Sequence, residues 1–271
     1  MGLEARLLKK NRAMIVWDTF IWFAAPAVLL SIMSAVMAFF PNGRKLSIAF
    51  SVFSIMVLGG FIVGFWAALG RPPLRTMGET RLWYSLFALS AGLFTYLKWK
   101  YKWILSYSTV LSTVFILLNI LKPEIHDHTL MPALQSPWFI PHVTVYMFSY
   151  SLLGCAFLLA CVGLFRDKVD ILTAIDTLVY IGTAFLTFGM LSGSLWAKDA
   201  WGHYWNWDPK ETWAAITWLT YMIYIHLRIF RQGKTKSLCL LIIFAFVCLQ
   251  MCWWGINYLP SAQDSIHIYN R

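Results

Sequence analysis

The sequence predicts an all-α, polytopic membrane protein of about eight transmembrane helices, and three observations lead there. Of the 271 residues, 59% are hydrophobic and only 13% charged, against about 45–50% apolar and about 25% charged in an ordinary soluble domain. Mean hydropathy is +0.64. The apolar residues are gathered into long runs rather than scattered. Such a chain has too little polar surface to cover itself in water, which excludes a soluble enzyme, a DNA-binding domain and a disulfide-stapled secreted module.

A hydrocarbon core about 30 Å thick needs about 20 apolar residues per helix. Eight runs meet or approach that length: 14–40, 46–69, 82–97, 103–121, 142–165, 171–197, 213–230 and 237–257. The first follows a basic segment but no small-residue cleavage site, so we read it as a retained span. The third is short and must be tilted less than the others or extended by its flanks. Runs of this length form helices, because a membrane barrel would alternate in segments of about ten residues. The longest connections, 122–141, 198–212 and the tail from 258, leave no room for a second folded domain. We therefore expect one integral membrane domain over residues 1–271, with 1–69 read from hydropathy alone.

Lys and Arg outnumber Asp and Glu by 22 to 12. The basic residues sit in clusters between apolar runs, which points to an anionic membrane face and not to nucleic acid. Alternate loops carry eleven of them on one side (Arg44, Lys45, Lys98, Lys100, Lys102, Arg166, Lys168, Arg228, Arg231, Lys234, Lys236) and seven on the other. The richer side is predicted to be cytoplasmic, so the three long connections face outward. Arg6, Lys9, Lys10 and Arg12 break this pattern: either residues 3–12 form a basic amphipathic helix on the membrane surface, or the first run is a hairpin or does not cross. Cys155, Cys161, Cys239, Cys248 and Cys252 lie in apolar runs without a C-x-x-C pair and are expected to act as small hydrophobes.

Six of the 15 Trp (Trp196, Trp201, Trp205, Trp207, Trp213, Trp218) fall between residues 196 and 218. Interfacial belts explain one or two Trp per helix end, not this density. Aromatic faces on an outward loop make a platform for a large, flat, apolar ligand. Asp208, Pro209 and Glu211 predict a helix start, with Asp at the N-cap, Pro at the first helical position and Glu at the third.

The run Trp201-Gly202-His203-Tyr204-Trp205-Asn206-Trp207-Asp208-Pro209-Lys210-Glu211-Thr212-Trp213 resembles the tryptophan-rich signature of the heme-handling proteins of cytochrome c maturation. Its Pro-Lys-Glu-Thr continuation is similar to the CcsA/ResC branch of the two-component system, more than to the CcmC branch. The resemblance covers residues 70–271, the expected heme-handling core. It implies an outward-facing, Trp-rich heme-binding loop formed by Trp201, Gly202, Trp205, Trp207, Asp208, Pro209 and Trp213. It also implies two outward histidines as axial ligands to heme iron, and His142 and His267 resemble these. Charge counting, made without the resemblance, puts both on the same side as the Trp loop. Imidazole is a standard axial ligand.

His226 lies 18 residues after Asp208, about 27 Å along a helix at 1.5 Å per residue. An ionisable group at that depth is a functional candidate, and it resembles the family's intramembrane heme station. His203 occupies a variable position of the signature. His126 and His128 have no further Cys or His nearby to complete a metal site. The acid Glu79 remains from a short family motif, and Arg71, Arg75 and Arg81 suit heme propionates, although solvated loop charges are the plainer expectation. Asp18 and Asp176 lie in apolar runs and need partners that the sequence does not name.

The resemblance implies delivery of heme b across the membrane and its presentation for thioether formation at Cys-x-x-Cys-His of apocytochrome c. It implies a CcsB-like membrane partner, a thiol-reducing thioredoxin-like protein, and a bacterial cytoplasmic membrane with the heme site outside. No general base or nucleophile is visible, so whether the chain alone is an enzyme stays open. A b-type electron-transfer cytochrome and a cofactor-free transporter are the competing classes, and neither accounts for residues 201–213.

Overall fold

The computed structural model describes residues 15–126, 134, 136–165, 169–230 and 232–260. Among them the regular structure is helical throughout: α1 (Phe20–Met37), α2 (Arg44–Leu69), α3 (Met77–Trp99), α4 (Lys102–Leu121), α5 (Phe139–Gly163), α6 (Val169–Trp201), α7 (Pro209–Ile229) and α8 (Thr235–Trp253), with short 3-10 turns at Trp17–Thr19, Pro123–His126 and Gly255–Tyr258. The eight helices coincide one for one with the eight apolar runs. Six are long and apolar enough to cross a membrane. In α3 and α7 the charges Glu79, Arg81 and Lys98, and Lys210, Glu211 and Arg228, dilute otherwise apolar helices. The protein is a polytopic, all-helical membrane protein. The basic segment before residue 15, and with it the question of its topology, lies outside the described residues.

The chain divides into two compact units, Met1–Leu130 and Met131–Arg271. In the first, α1 packs on α2 and α4, and α3 packs on α4. Phe20, Ala24, Leu58, Phe61, Ile62 and Leu82 form its core. Helices in lipid gain no hydrophobic driving force from apolar contact, so close packing and hydroxyls joining neighbouring backbones matter more there. Ser34 and Ser47 each donate to the other's carbonyl at 2.8 Å, Ser54 donates to Ala27 O at 2.7 Å, and Thr109 donates to Ser31 O at 3.1 Å. Gly70, at φ 66°, takes the left-handed turn that ends α2.

Thr76 caps α3 by a reciprocal bond with Glu79. Glu79 is fully buried. Its carboxylate accepts two bonds from Arg71, at 2.9 and 3.0 Å, and others from the backbone N–H of Arg75 and Thr76. The expectation that Arg71 is a solvated loop charge is therefore corrected: a buried carboxylate needs a fixed partner, and Arg71 supplies it bidentately. Asp18 sits exposed in the first turn of the chain's entry into α1.

In the second unit α5 and α6 make the most extensive pairing, α7 packs on α8, and α5 also meets α8. The close approach of α5 to α6 depends on three glycines. A Cβ at Gly182 would stand 2.7 Å from Leu153 Cδ2, one at Gly193 would stand 2.6 Å from His142 Nδ1, and one at Gly189 would collide with Tyr146. Ser149 adds a 2.7 Å bond to Gly182 O. Small residues at a helix seam are how membrane helices approach closely. At the other end of this unit Asp176 has the partner that the sequence did not name. Arg228 donates to both its oxygens, at 2.7 and 2.5 Å, and Tyr224 OH donates at 2.7 Å.

Candidate functional site

The Trp-rich segment connects α6 to α7 within the second unit. Trp201 closes α6, and Gly202, at φ 85°, turns the chain where a side chain would strain. Lys198 holds that turn by donating to Gly202 O at 2.8 Å, with its ammonium over the Tyr204 ring. The predicted helix start is present. Asp208 Oδ1 accepts from Lys210 N at 2.7 Å, and Pro209 opens α7. Glu211 Oε2 accepts from Asp208 N at 3.2 Å and from Asn206 N at 2.7 Å. Glu211 is buried, so one carboxylate gathers two loop N–H groups that have no helical partner. Trp207 is held at φ 55°, a conformation that non-glycine residues seldom adopt, and the residue is 69% exposed.

A cavity of about 230 Å³ opens beneath this loop. Its walls are His142 and Tyr146 from α5, Trp196 from α6, Trp205 from the loop, Lys210 from α7, and Trp253 from α8. His142 Nδ1 lies 2.8 Å from Gly189 O. A carbonyl only accepts, so the hydrogen bond places a proton on Nδ1, and in the neutral imidazole the lone pair is then on Nε2. The imidazole stacks on Trp196 at 5.3 Å between centroids and meets the edge of Tyr146 at 4.5 Å. Trp196 in turn meets Trp201 edge-on at 4.9 Å. Trp205 contributes a buried indole Nε1 with no hydrogen-bond partner among the described residues, and Trp207 stands perpendicular to it at 5.7 Å.

The structure thus gathers His142 and Trp205 around one cavity and reaches Trp201 through Trp196. Asp208 and Pro209 act through the loop's geometry, and Gly202 through its turn. Trp213 is half-buried on the first turns of α7, and Trp207 points outward, neither lining the cavity. His226 is at the far end of α7, exposed and against Phe230 at 4.6 Å. His267 lies outside the described residues, as does His128. His126 belongs to the first unit, where its ring stacks on Trp17 at 3.7 Å. Among the described residues no group of three metal-ligating side chains converges.

Sequence reasoning missed Trp196, Tyr146, Lys210 and the Gly189–Gly193 pair as parts of this site. Signals for them exist. Tyr146 is one helical turn after His142, and Gly189-x-x-x-Gly193 is a close-packing spacing for membrane helices. Cys252, expected to be a plain hydrophobe, also lines the cavity and donates weakly to Lys210 O at 3.4 Å.

The family model described as cytochrome C assembly protein matches residues 20–262. Among individual relatives, the cytochrome c biogenesis protein CcsA of Cuscuta reflexa is 31% identical over 252 residues, covering 78% of this chain and 82% of that protein. The CcsA of Chlamydomonas reinhardtii is 32% identical over 224 residues, covering 76% of this chain and 64% of that protein. That of Oenothera argillicola is 28% identical over 270 residues, covering 80% and 85%. This polytopic chain, with its Trp-rich loop above a histidine-lined cavity, belongs to the cytochrome c assembly protein family, in its CcsA group.

Proposed function

We propose that the chain binds heme b as a cargo at the Trp-rich loop and presents it for covalent attachment to apocytochrome c. The observation that carries this reading is the His142 imidazole. It lines an aromatic cavity, and its Nδ1 is fixed by a backbone carbonyl, so that Nε2 carries the lone pair an iron ligand needs. His267 is the proposed second axial ligand, with Trp201, Gly202, Trp205, Trp207, Asp208, Pro209 and Trp213 forming or shaping the platform. The cavity's 230 Å³ is below the about 300–1,000 Å³ of pockets that enclose a drug-sized ligand. A porphyrin would insert an edge and remain partly open, which suits a site that must pass its cargo on. Lys210, on the cavity wall next to Glu211, and Trp205 Nε1, which has no hydrogen-bond partner among the described residues, fit a ligand that is apolar in its plane and has an acceptor at one margin.

Heme itself supplies the reacting vinyl groups. Each cysteine thiol of Cys-x-x-Cys-His adds across one vinyl double bond, forming a carbon–sulfur bond while the thiol proton passes to the other vinyl carbon, with no net oxidation. The chain's own residues bind, orient and shield. We further propose that residues 70–271 form the heme-handling core and that His226 is an earlier, intramembrane station. Its exposed position on α7 would be covered by a helix of a CcsB-like partner, because an imidazole facing lipid is costly. The site is proposed to face away from the basic loops, which is the periplasmic side in a bacterial cytoplasmic membrane. Apocytochrome c and a thiol-reducing thioredoxin-like protein would meet it there.

The experiment is co-expression of the chain with its membrane partner and a reporter cytochrome c. Covalent heme in the reporter is expected to be lost in His142→Ala and partly restored by millimolar imidazole. Full reporter maturation in His142→Ala without imidazole contradicts the reading.

A further inference from the structure

We infer that the Gly189–Gly193 turn of α6 is the positioning element for His142. One glycine's carbonyl sets the ring's tautomer and electron density, and the other glycine gives the ring its seat. The inference rests on the reading of His142 as an iron ligand, and its test separates the two.

Gly189 O accepts from His142 Nδ1 at 2.8 Å and also from Ser192 Oγ at 3.1 Å. Ser192 is buried, and its hydroxyl lies within reach of Phe188 O as well, at 2.9 Å. A carbonyl bonded to the far nitrogen of a ligating histidine fixes the ring and makes it a stronger donor to the metal. Ser192 has one hydroxyl proton to share between Phe188 O, the nearer acceptor, and Gly189 O, so it draws off only a small part of what Gly189 supplies to His142.

Gly193 acts by absence. A Cβ there would stand 2.6 Å from His142 Nδ1 and 2.7 Å from Cε1, closer than real Cβ contacts allow. Trp196 and Tyr146 bound the ring on other sides. An added methyl group therefore turns the imidazole away from Gly189 O instead of merely shifting it. Gly182 provides the contrast. It belongs to the same seam, and its Cβ would press on Leu153, two helical turns from Gly189. Substitution at Gly182 disturbs helix packing without touching His142.

The test uses the chain purified with its membrane partner and bound heme. Visible spectra and potentiometric titrations are compared for the wild type, His142→Ala, Gly193→Ala, Ser192→Ala and Gly182→Ala. Gly193→Ala is expected to take on the altered ligation spectrum of His142→Ala, with added imidazole restoring both. Ser192→Ala is expected to keep the wild-type spectrum but shift the midpoint potential to a slightly lower value, because the full strength of Gly189 O now falls on His142 and favours ferric iron. Gly182→Ala is expected to lower yield while leaving spectrum and potential unchanged. A wild-type spectrum and potential in Gly193→Ala, with His142→Ala altered, overturns the inference and spares the ligand. An unaltered His142→Ala removes the ligand reading itself. Should Gly193→Ala fail to accumulate, the His142 Nδ1 proton is read in the wild-type complex by hyperfine-shifted NMR: slow solvent exchange is expected for a proton held by Gly189 O, and rapid exchange overturns the inference alone.

Discussion

Glu211, more than any tryptophan, should determine whether the Trp-rich loop holds its shape. Its carboxylate is 7% exposed and accepts from the backbone N–H of Asn206 and of Asp208. In Glu211→Ala both donors lose their acceptor: the buried Asp208 N–H at about 1–3 kcal/mol, and the part-buried N–H of the exposed Asn206 at about 0.5–1.5 kcal/mol, since water can reach it. The loop should therefore loosen locally by about 1.5–4.5 kcal/mol, and since each 1.4 kcal/mol is tenfold, amide exchange should accelerate by roughly 10-fold to 1,600-fold. Glu211→Gln keeps an acceptor oxygen and forfeits only the charge assistance, a cost of about 1 kcal/mol. Hydrogen exchange read by mass spectrometry on peptides spanning 201–213 measures this directly. The Ala variant should exchange quickly, the Gln variant nearly as slowly as wild type, and bound heme should fall in the same order. Equal protection in Glu211→Ala and wild type would refute the view that this carboxylate organises the loop.

Three further outcomes are expected. Trp207→Gly relieves a left-handed backbone strain of about 1–3 kcal/mol, so it should not lower the thermal midpoint of the complex, yet it should reduce heme retention, because this residue, 69% exposed, serves the ligand and not the fold. Asp176→Asn should lower the thermal midpoint, since Arg228 and Tyr224 lose their charged acceptor. The loss should be about 1–3 kcal/mol, less than for a fully buried pair, and an Asp176→Asn/Arg228→Leu double variant should recover part of it in a double-mutant cycle. In the first unit, Arg71→Ala strands the fully buried Glu79 carboxylate and should cost about 3–5 kcal/mol. Adding Glu79→Gln should lessen that cost, and a double variant no more stable than Arg71→Ala would show that the pair is not coupled.

What the sequence made legible follows from the kind of information each feature needs. Apolar run length alone determines a membrane helix, and so the eight helices stand where the runs do, including α3, which extends beyond its short run into residues 77–81 through the Thr76–Glu79 cap. Asp208, Pro209 and Glu211 form a local motif whose partners lie within three residues, and the helix start was readable for that reason. Asp176 and Arg228 are 52 residues apart, and only the packing of α6 against α7 brings them together. The seat of His142 is likewise written on two helices. The pattern Gly189-x-x-x-Gly193 is visible in the chain, but which side chain it admits depends on the rotation of α5. Trp196 was counted among the clustered tryptophans, yet its stacking on His142 could not be foreseen from spacing along α6. His267, half of the ligand set the resemblance implies, falls outside the described residues, so its position adds nothing to the geometry.

The most direct test of heme binding at the Trp-rich loop is a visible spectrum of the chain purified with its membrane partner, comparing wild type with His142→Ala and His267→Ala. The wild type should show a b-type spectrum with two axial histidines. Each variant should lose or alter that spectrum, and added imidazole should bring it back. Heme persisting with an unchanged spectrum in both variants would contradict the assignment and move the binding site to His226.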